Sequence, residues 1–310
     1  MPHVTFIHGI SNKPPAEILR AAREAALADG GLDLGAEGVT TSLIYWADVL
    51  YPAPEASVTA FESVEEGLGT AVTDDDLSWV DDLPDPEREF VEKLDARLGI
   101  EQGEEPGPEA GEQPRGADDP ALEALPLPWP LKCRLMRVLL RDVHHYLFNA
   151  THSPRPGESY RVHEHIRLLF IDQLREDAGA TEGAHVVVSH SMGTVIAYDC
   201  LKNVSGCPAI DGFLTVGSPL GLSEVHDNFR PPYVRREAFP SDRLSGRWVN
   251  VSDRLDPVAL DARLANDYQL GGREVIIDRA VRNEGRWRHS SGKYFRQAEL
   301  VGRLRELLAL

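Results

Sequence analysis

Long apolar runs, a cysteine framework and an excess of basic residues are all missing from this 310-residue chain. No run approaches the roughly 18 apolar residues that cross a membrane, and no basic-then-apolar signal sequence opens the chain. The three cysteines lack metal-type spacing, which argues against both a disulfide framework and a zinc site. We therefore expect a cytoplasmic protein with no integral membrane segment, no metal and no cofactor.

The net charge of -18 lies almost entirely in one segment of the chain. Residues 52–119 contain 21 acidic and four basic residues, so they carry -17 of that charge. Spread evenly over the surface, such a charge would argue against nucleic acid and anionic membranes as partners. Here it describes one segment rather than the whole surface, and we expect no nucleic-acid partner. An acidic tract can bind a basic protein partner, although a solvated loop is its more usual role.

Two kinds of pattern divide the chain. In residues 1–52 and 131–310, apolar strands alternate with amphipathic helices, which predicts an α/β core with a doubly wound, mostly parallel sheet. Residues 53–130 interrupt that pattern after the second predicted strand. They form an acidic insertion and a candidate lid, and their Gly-, Pro- and Glu-rich part around 99–130 is expected to be flexible. Strands are expected at 3–7, 39–46, 186–188, 212–216, 247–251 and 274–278.

A buried strand, a sharp turn and a helix follow one another around Ser191. Three β-branched residues at 186–188 precede the turn, and apolar residues of a helix follow it. Ser189 and Gly193, on either side of the serine, are small, as is required where the backbones of a strand and a helix nearly touch. The pattern predicts a strained turn that presents the Ser191 hydroxyl at the end of a strand.

Two later loops offer the partners that a nucleophilic serine needs. A serine hydroxyl reacts well only when an imidazole takes its proton and a carboxylate orients that imidazole. Asp256 follows one predicted strand and His289 follows the next. Asp253 is an alternative acid, and His226 is an alternative base that precedes both acids in the chain. The proline after Asp256 and the chain order favour Asp256 and His289.

Motifs at four places together resemble the α/β-hydrolase superfamily. They are the elbow Ser189-His190-Ser191-Met192-Gly193, the loop His8-Gly9, the turn Asp256-Pro257-Val258 and the late His289. The elbow has serine where its commonest form has glycine. Esterases and lipases of that family that lack the first strands of the fold are the nearest match, and the resemblance covers the predicted sheet and its helices but not the insertion.

The resemblance implies a serine esterase or lipase-like hydrolase acting on a small-molecule or lipid ester, with Ser191, Asp256 and His289 as catalytic residues. It also implies an oxyanion hole formed by the backbone N–H groups of Met192 and Ile10. An acyltransferase or thioesterase using the same residues is a second hypothesis, and a non-catalytic interaction protein on a hydrolase scaffold is a third. The residues expected to support the oxyanion hole and the turn are His8, Gly9, Ser189 and Gly193.

Overall fold

The computed structural model describes residues 1–55, 77–98, 129–284 and 287–310. Six strands form a central sheet: β1 (His3–Ile7), β2 (Thr40–Ile44), β5 (His185–His190), β6 (Ile210–Val216), β7 (Leu244–Asp253) and β8 (Ile277–Val281). Their order in the sheet is β2-β1-β5-β6-β7-β8, and every neighbouring pair is parallel. Two further short strands, β3 (Thr151–His152) and β4 (Tyr160–Arg161), form a separate antiparallel pair.

Helices connect these strands along most of the chain. They are α1 (Ala16–Asp29), α2 (Ala47–Leu50), α3 (Asp85–Leu98), α4 (Trp129–Leu147), α5 (Val162–Ala180), α6 (Met192–Asn203), α7 (Ser223–His226), α8 (Ser291–Phe295) and α9 (Ala298–Leu308). Short 3-10 turns lie at Leu77–Val80, Pro219–Gly221 and Arg235–Glu237. Among the helices of the described ranges, none is both long and apolar enough to cross a membrane.

Helices cover both faces of the sheet, and side chains of β5 alternate between the two. Val186 and Val188 pack with residues of α1, α8 and α9 in one apolar core, whereas Val187 packs with residues of α5 and α6 in the other. All three valines are fully buried. A parallel sheet needs this double cover because its connecting helices lie on both faces, and the continuous apolar run at 186–188 reflects it.

The chain reverses direction across the sheet between β1 and β5. From β1 it moves to β2 at one edge, returns to pair β5 with the other side of β1, and then continues through β6, β7 and β8. The carboxyl ends of β1 and β5 therefore lie at the point where the strand order reverses, which is where open parallel sheets bind ligands. Gly9 lies in the loop after β1 and Ser191 in the turn after β5.

The predicted α/β core with a mostly parallel sheet is confirmed, but the last strand was placed wrongly. The pairing of β8 runs from Ile277 to Val281 rather than over residues 274–278. The apolar run in that region begins earlier, yet Val275 is exposed. Since β8 is an edge strand with a single neighbour, it is only half-buried and carries charged residues that an apolar pattern does not mark.

The predicted insertion at 53–130 falls largely outside the described residues. Within its described parts, a 3-10 turn (Leu77–Val80) and α3 precede α4, which begins at Trp129, just before the predicted end of the insertion at residue 130. Phe90, Val91 and Leu94 of α3 are buried in the same apolar core as residues of α4. The predicted flexible stretch at 99–130 lies outside the described residues up to residue 128.

Gly193 allows α6 to begin directly against β1. A Cβ atom at Gly193 would lie 2.6 Å from the backbone oxygen of His8 and 3.0 Å from that of Ile7. We expect Gly193→Ala to lower the free energy of unfolding by about 1–3 kcal/mol because backbone must shift to admit the methyl group. Urea denaturation measures this change.

Gly179→Ala in α5 is the matched control for that substitution. A Cβ atom at Gly179 would meet nothing within 4 Å. Since alanine restricts the unfolded chain and favours the helix, Gly179→Ala should raise stability by about 0.5–1 kcal/mol. Equal effects of the two substitutions would contradict the close approach of α6 to β1.

Candidate active site

The Ser191 turn holds its backbone in a conformation that serine rarely adopts. Ser191 has φ 55° and ψ -131°, and positive φ is uncommon for residues other than glycine. The backbone N–H of Ser191 donates to Val216 O at 3.0 Å, and Ser191 O accepts from the backbone N–H of Thr194 at 2.8 Å. These bonds stabilise the turn, so the strain is concentrated at the residue that presents its hydroxyl.

A continuous hydrogen-bonded path joins Ser191, His289 and Asp256. His289 Nε2 lies 2.8 Å from Ser191 Oγ, and His289 Nδ1 lies 2.8 Å from Asp256 Oδ2 and 2.9 Å from Oδ1. An ionised carboxylate can only accept, so Nδ1 of a neutral His289 carries the proton and Nε2 accepts from the Ser191 hydroxyl. The three residues are buried, with exposures of 0%, 4% and 1% for Ser191, His289 and Asp256.

Asp256 is surrounded by hydrogen-bond donors besides His289. Its Oδ1 accepts from the backbone N–H of Val258 at 2.8 Å, and its Oδ2 accepts from Tyr294 OH at 2.7 Å. Burial by itself raises the pKa of the Asp256 carboxyl, but the charge of His289 and these hydrogen bonds outweigh burial and leave the pKa below its usual value. Burial, and after it the Asp256 charge, raises the pKa of Tyr294 well above its usual value, so Tyr294 stays a donor.

The alternative acid, Asp253, lies in a different network. Its Oδ1 accepts from the backbone N–H of Leu255 at 2.8 Å, and its Oδ2 accepts from the backbone N–H of Asn283 at 2.6 Å. The same Oδ2 pairs with Arg288 Nη1 at 3.3 Å. Asp253 therefore caps a turn and holds the segment that leads to His289, whereas Asp256 contacts the imidazole itself.

The alternative base, His226, is placed elsewhere. Its ring stacks on that of Tyr233 with centroids 4.6 Å apart, and its Nδ1 lies 3.5 Å from Asp227 Oδ1. The histidine that reaches the Ser191 hydroxyl is His289. The base favoured by chain order, His289, is therefore also the one that contacts Ser191 and Asp256.

The loop after β1 lies directly against the serine. A Cβ atom at Gly9 would come within 2.6 Å of Ser191 Cβ and 3.1 Å of Ser191 Oγ, so only glycine fits there. Met192 is the first residue of α6, and its backbone N–H has no acceptor within the helix. In the ranges that the structure describes, neither this N–H nor that of Ile10 donates to another protein group. Two such donors can stabilise a developing negative charge.

His8 holds that loop through its ring and its backbone. The backbone N–H of Trp46 donates to His8 Nε2 at 3.0 Å, so His8 Nδ1 carries the proton and donates to Gly9 O at 2.8 Å. The Trp46 indole N–H donates to His8 O at 3.0 Å, and the two rings stack 4.7 Å apart. Burial, with a smaller effect of the Lys13 charge, lowers the pKa of His8 well below its usual value, so the ring is neutral.

The two residues before Ser191 form hydrogen bonds with groups other than its hydroxyl. Ser189 Oγ donates to Leu214 O at 3.3 Å within the sheet. His190 Nε2 donates to the backbone oxygen of His289 at 2.8 Å. Burial, with a smaller effect of the His289 charge, lowers the pKa of His190 well below its usual value. Neutral His190 therefore supports the backbone that carries His289.

One group of side chains in the described ranges could hold a metal ion, and it lies far from Ser191. The possible ligand atoms of His3, Asp177 and His185 lie within 4.8 Å of one another. His3 and His185 are the first residues of β1 and β5, so they lie at the amino ends of these strands, whereas Ser191 follows the carboxyl end of β5. Asp177 Oδ2 already accepts from the Thr5 hydroxyl at 2.5 Å and the Ser42 hydroxyl at 2.6 Å. Hydrogen bonds therefore account for this buried carboxylate.

Sequence reasoning did not find Tyr294 or Trp46. Tyr294 reaches Asp256 from α8, 38 residues later in the chain, and Trp46 reaches His8 from the end of β2, also 38 residues later. No motif spacing links either pair. The position of Trp46 directly after a strand that neighbours β1 is a signal for proximity to His8, since parallel strands end at one edge.

Comparison with models of known protein families gives no match for this chain. Comparison with curated proteins gives no match either. The chemistry of the site is therefore inferred from its residues and their geometry.

Proposed function

We propose that this chain is a serine hydrolase that cleaves carboxylic esters of small molecules or lipids. The observation that carries the proposal is the path from Asp256 through His289 to Ser191, in which each polar atom lies within hydrogen-bond distance of the next. The alternative assignments based on Asp253 and His226 have no equivalent support, because these side chains contact other groups.

The proposed reaction begins when Ser191 Oγ attacks the ester carbonyl carbon and its proton passes to His289 Nε2. The carbonyl oxygen becomes an oxyanion, which the backbone N–H groups of Met192 and Ile10 stabilise. His289 then gives the proton to the leaving alkoxide, so an alcohol departs and an acyl-enzyme ester remains on Ser191. Asp256 keeps the imidazole in the required tautomer and stabilises its protonated form.

A water molecule completes the proposed cycle. His289 Nε2 takes a proton from that water as its oxygen attacks the acyl carbon, and a second oxyanion forms in the same position. The bond to Ser191 Oγ then breaks, the proton on His289 returns to Ser191, and a carboxylic acid leaves. Each residue ends in its starting protonation state, so the cycle requires only ester and water.

We further propose that the core is a member of the α/β-hydrolase superfamily that lacks the first strands of the fold. Three features support this assignment: a six-stranded parallel sheet, Ser191 at the point where the strand order reverses, and partners that follow in the order acid, then histidine. A serine at position 189 is compatible with that elbow, because its hydroxyl bonds within the sheet.

Hydrolysis of p-nitrophenyl butyrate tests the proposal. We expect steady release of p-nitrophenol, butyrate as the main acyl product and acylation of Ser191 during turnover. Adding a short alcohol should leave butyrate as the dominant product. A dominant butyrate ester of the added alcohol would overturn hydrolysis in favour of acyl transfer, and no release of p-nitrophenol by folded protein across short and long p-nitrophenyl esters would overturn the enzyme assignment.

A further inference from the structure

The direction of the Ile10 N–H depends on two consecutive peptide planes. In the first plane, Gly9 O accepts from the His8 ring at 2.8 Å. The N–H and C=O of a trans peptide point in opposite directions, so this bond also fixes the N–H of Ile10 on the far side of the plane. The second plane is the peptide between Ile10 and Ser11. Only if this plane is also held are both backbone dihedral angles of Ile10 restricted.

The second plane is held at both of its ends. Lys13 Nζ donates to Ile10 O at 2.6 Å, and the backbone N–H of Ser11 donates to Asp142 Oδ2 at 3.0 Å. Ser11 has φ 67°, in the left-handed region that serine rarely occupies. A strained residue of this kind persists only when its surroundings hold it in place. Here the neighbouring contacts are bonds to two charged side chains.

Both charged groups are buried, and Asp142 is itself firmly placed. Lys13 and Asp142 are 5% and 1% exposed. Tyr51 OH donates to Asp142 Oδ2 at 3.2 Å, and Arg141 Nη2 donates to Asp142 Oδ1 at 3.1 Å. Asp142 belongs to α4, 131 residues after Ser11, so the contact joins the loop after β1 to a helix that is distant in the sequence. Burial makes each bond sensitive to the loss of its partner.

We propose that Lys13 and Asp142 are positioning residues that clamp the Ile10–Ser11 peptide and so keep the Ile10 N–H aimed at the reacting carbonyl oxygen. With the preceding plane fixed by His8, both backbone dihedral angles of Ile10 are restricted. The inference rests on the proposed function, and it adds a role for α4, which holds the oxyanion loop in its working shape. Neither side chain contacts the reacting atoms directly.

Loss of the clamp should affect the transition state more than substrate binding. The oxyanion exists only as the reaction proceeds, so a displaced donor lowers kcat and leaves KM nearly unchanged. Outright removal of one oxyanion donor costs roughly 100- to 1000-fold in kcat. Since Ile10 N–H is loosened rather than removed, we expect Asp142→Ala and Lys13→Met each to lower kcat by roughly 10- to 100-fold.

The experiment combines p-nitrophenyl butyrate kinetics with amide hydrogen exchange of the segment 9–13 in the full chain. Asp142→Asn should recover much of the activity lost in Asp142→Ala, because its side-chain oxygen can still accept from Ser11 N–H. Tyr146→Phe is the matched control: it removes a buried hydrogen bond of α4, from Tyr146 OH to Asp199 at 2.7 Å, without touching the loop. It should leave kcat within about twofold of wild type.

The two readouts separate the clamp from the proposed function. Faster exchange in 9–13 together with a selective fall in kcat supports the clamp. Unchanged exchange in Asp142→Ala and Lys13→Met, or a kcat of these two variants equal to that of Tyr146→Phe, would overturn it while the hydrolase assignment stands. Absent turnover by the wild type would overturn the hydrolase assignment and with it any catalytic purpose of the clamp. Should Asp142→Ala fail to fold, Lys13→Met decides by the same criteria.

Discussion

Replacing Ser191 with alanine is expected to lower kcat for p-nitrophenyl butyrate hydrolysis by roughly 10⁵- to 10⁶-fold, with KM little changed. On the proposed mechanism the effect is large because Ser191 supplies the covalent step, while the Met192 and Ile10 N–H groups would still stabilise direct attack by water to a small degree. Initial rates at saturating substrate measure kcat, and urea denaturation checks that the variant is folded.

Ser245→Ala is the matched control for that experiment. Ser245 is an exposed serine near the amino end of β7, whereas Ser191 lies beyond the carboxyl end of β5. Its hydroxyl contacts Ile210 O and Asp211, far along the strands from the turn. Activity of this variant should equal that of wild type. A Ser191→Ala variant that keeps more than about one hundredth of wild-type kcat would contradict the nucleophile assignment.

Replacing Asp256 with asparagine is expected to lower kcat by roughly 10⁴-fold with the fold intact. The backbone N–H of Val258 continues to need an acceptor, so the amide oxygen should take that place and the amide NH₂ should face His289 Nδ1. His289 would then carry its proton on Nε2 and could not accept the proton of Ser191. Steady-state kinetics measure the loss, and exchange of the His289 tautomer is visible in its imidazole nitrogen NMR shifts.

Asp253→Asn provides the contrast because it removes a buried charge three residues away. Asp253 pairs with Arg288, and its loss leaves that guanidinium without its carboxylate, so we expect a fall of about 1–3 kcal/mol in the free energy of unfolding. The kcat of the folded variant should stay within roughly tenfold of wild type. If Asp253→Asn lost about as much kcat as predicted for Asp256→Asn, and Asp256→Asn lost little, the roles of the two carboxylates would be reversed.

The residues of the candidate site were predictable because parallel strands end at a common edge. Ser191, Asp256 and His289 each follow a predicted strand, and that placement alone brings them to the carboxyl ends of the parallel strands. The wrong bounds of the last strand did not affect the prediction for His289, because His289 still follows the carboxyl end of β8. Small residues at Ser189 and Gly193 located the turn because close backbone approach restricts side-chain size.

The contacts that support the site could not be predicted from the sequence. Ser11 meets Asp142 across 131 residues, and Asp256 meets Tyr294 across 38. Such pairs depend on how α4 and α8 pack, which periodicity does not determine, because a helical pattern gives the buried face but not the neighbour. Asp253 and Asp256 are close neighbours in the sequence, and only the groups that they contact in three dimensions show which of them bonds to His289.

The most direct test of the account is the location of a fluorophosphonate adduct by peptide mass spectrometry on the folded wild-type chain. On the proposed mechanism the path from Asp256 through His289 activates the Ser191 hydroxyl, so we predict a single adduct, on Ser191, that heat-denatured protein and His289→Ala do not form. An adduct on another serine, such as the neighbouring Ser290 or Ser291, or no adduct on folded protein, would contradict the assignment of Ser191 as the nucleophile.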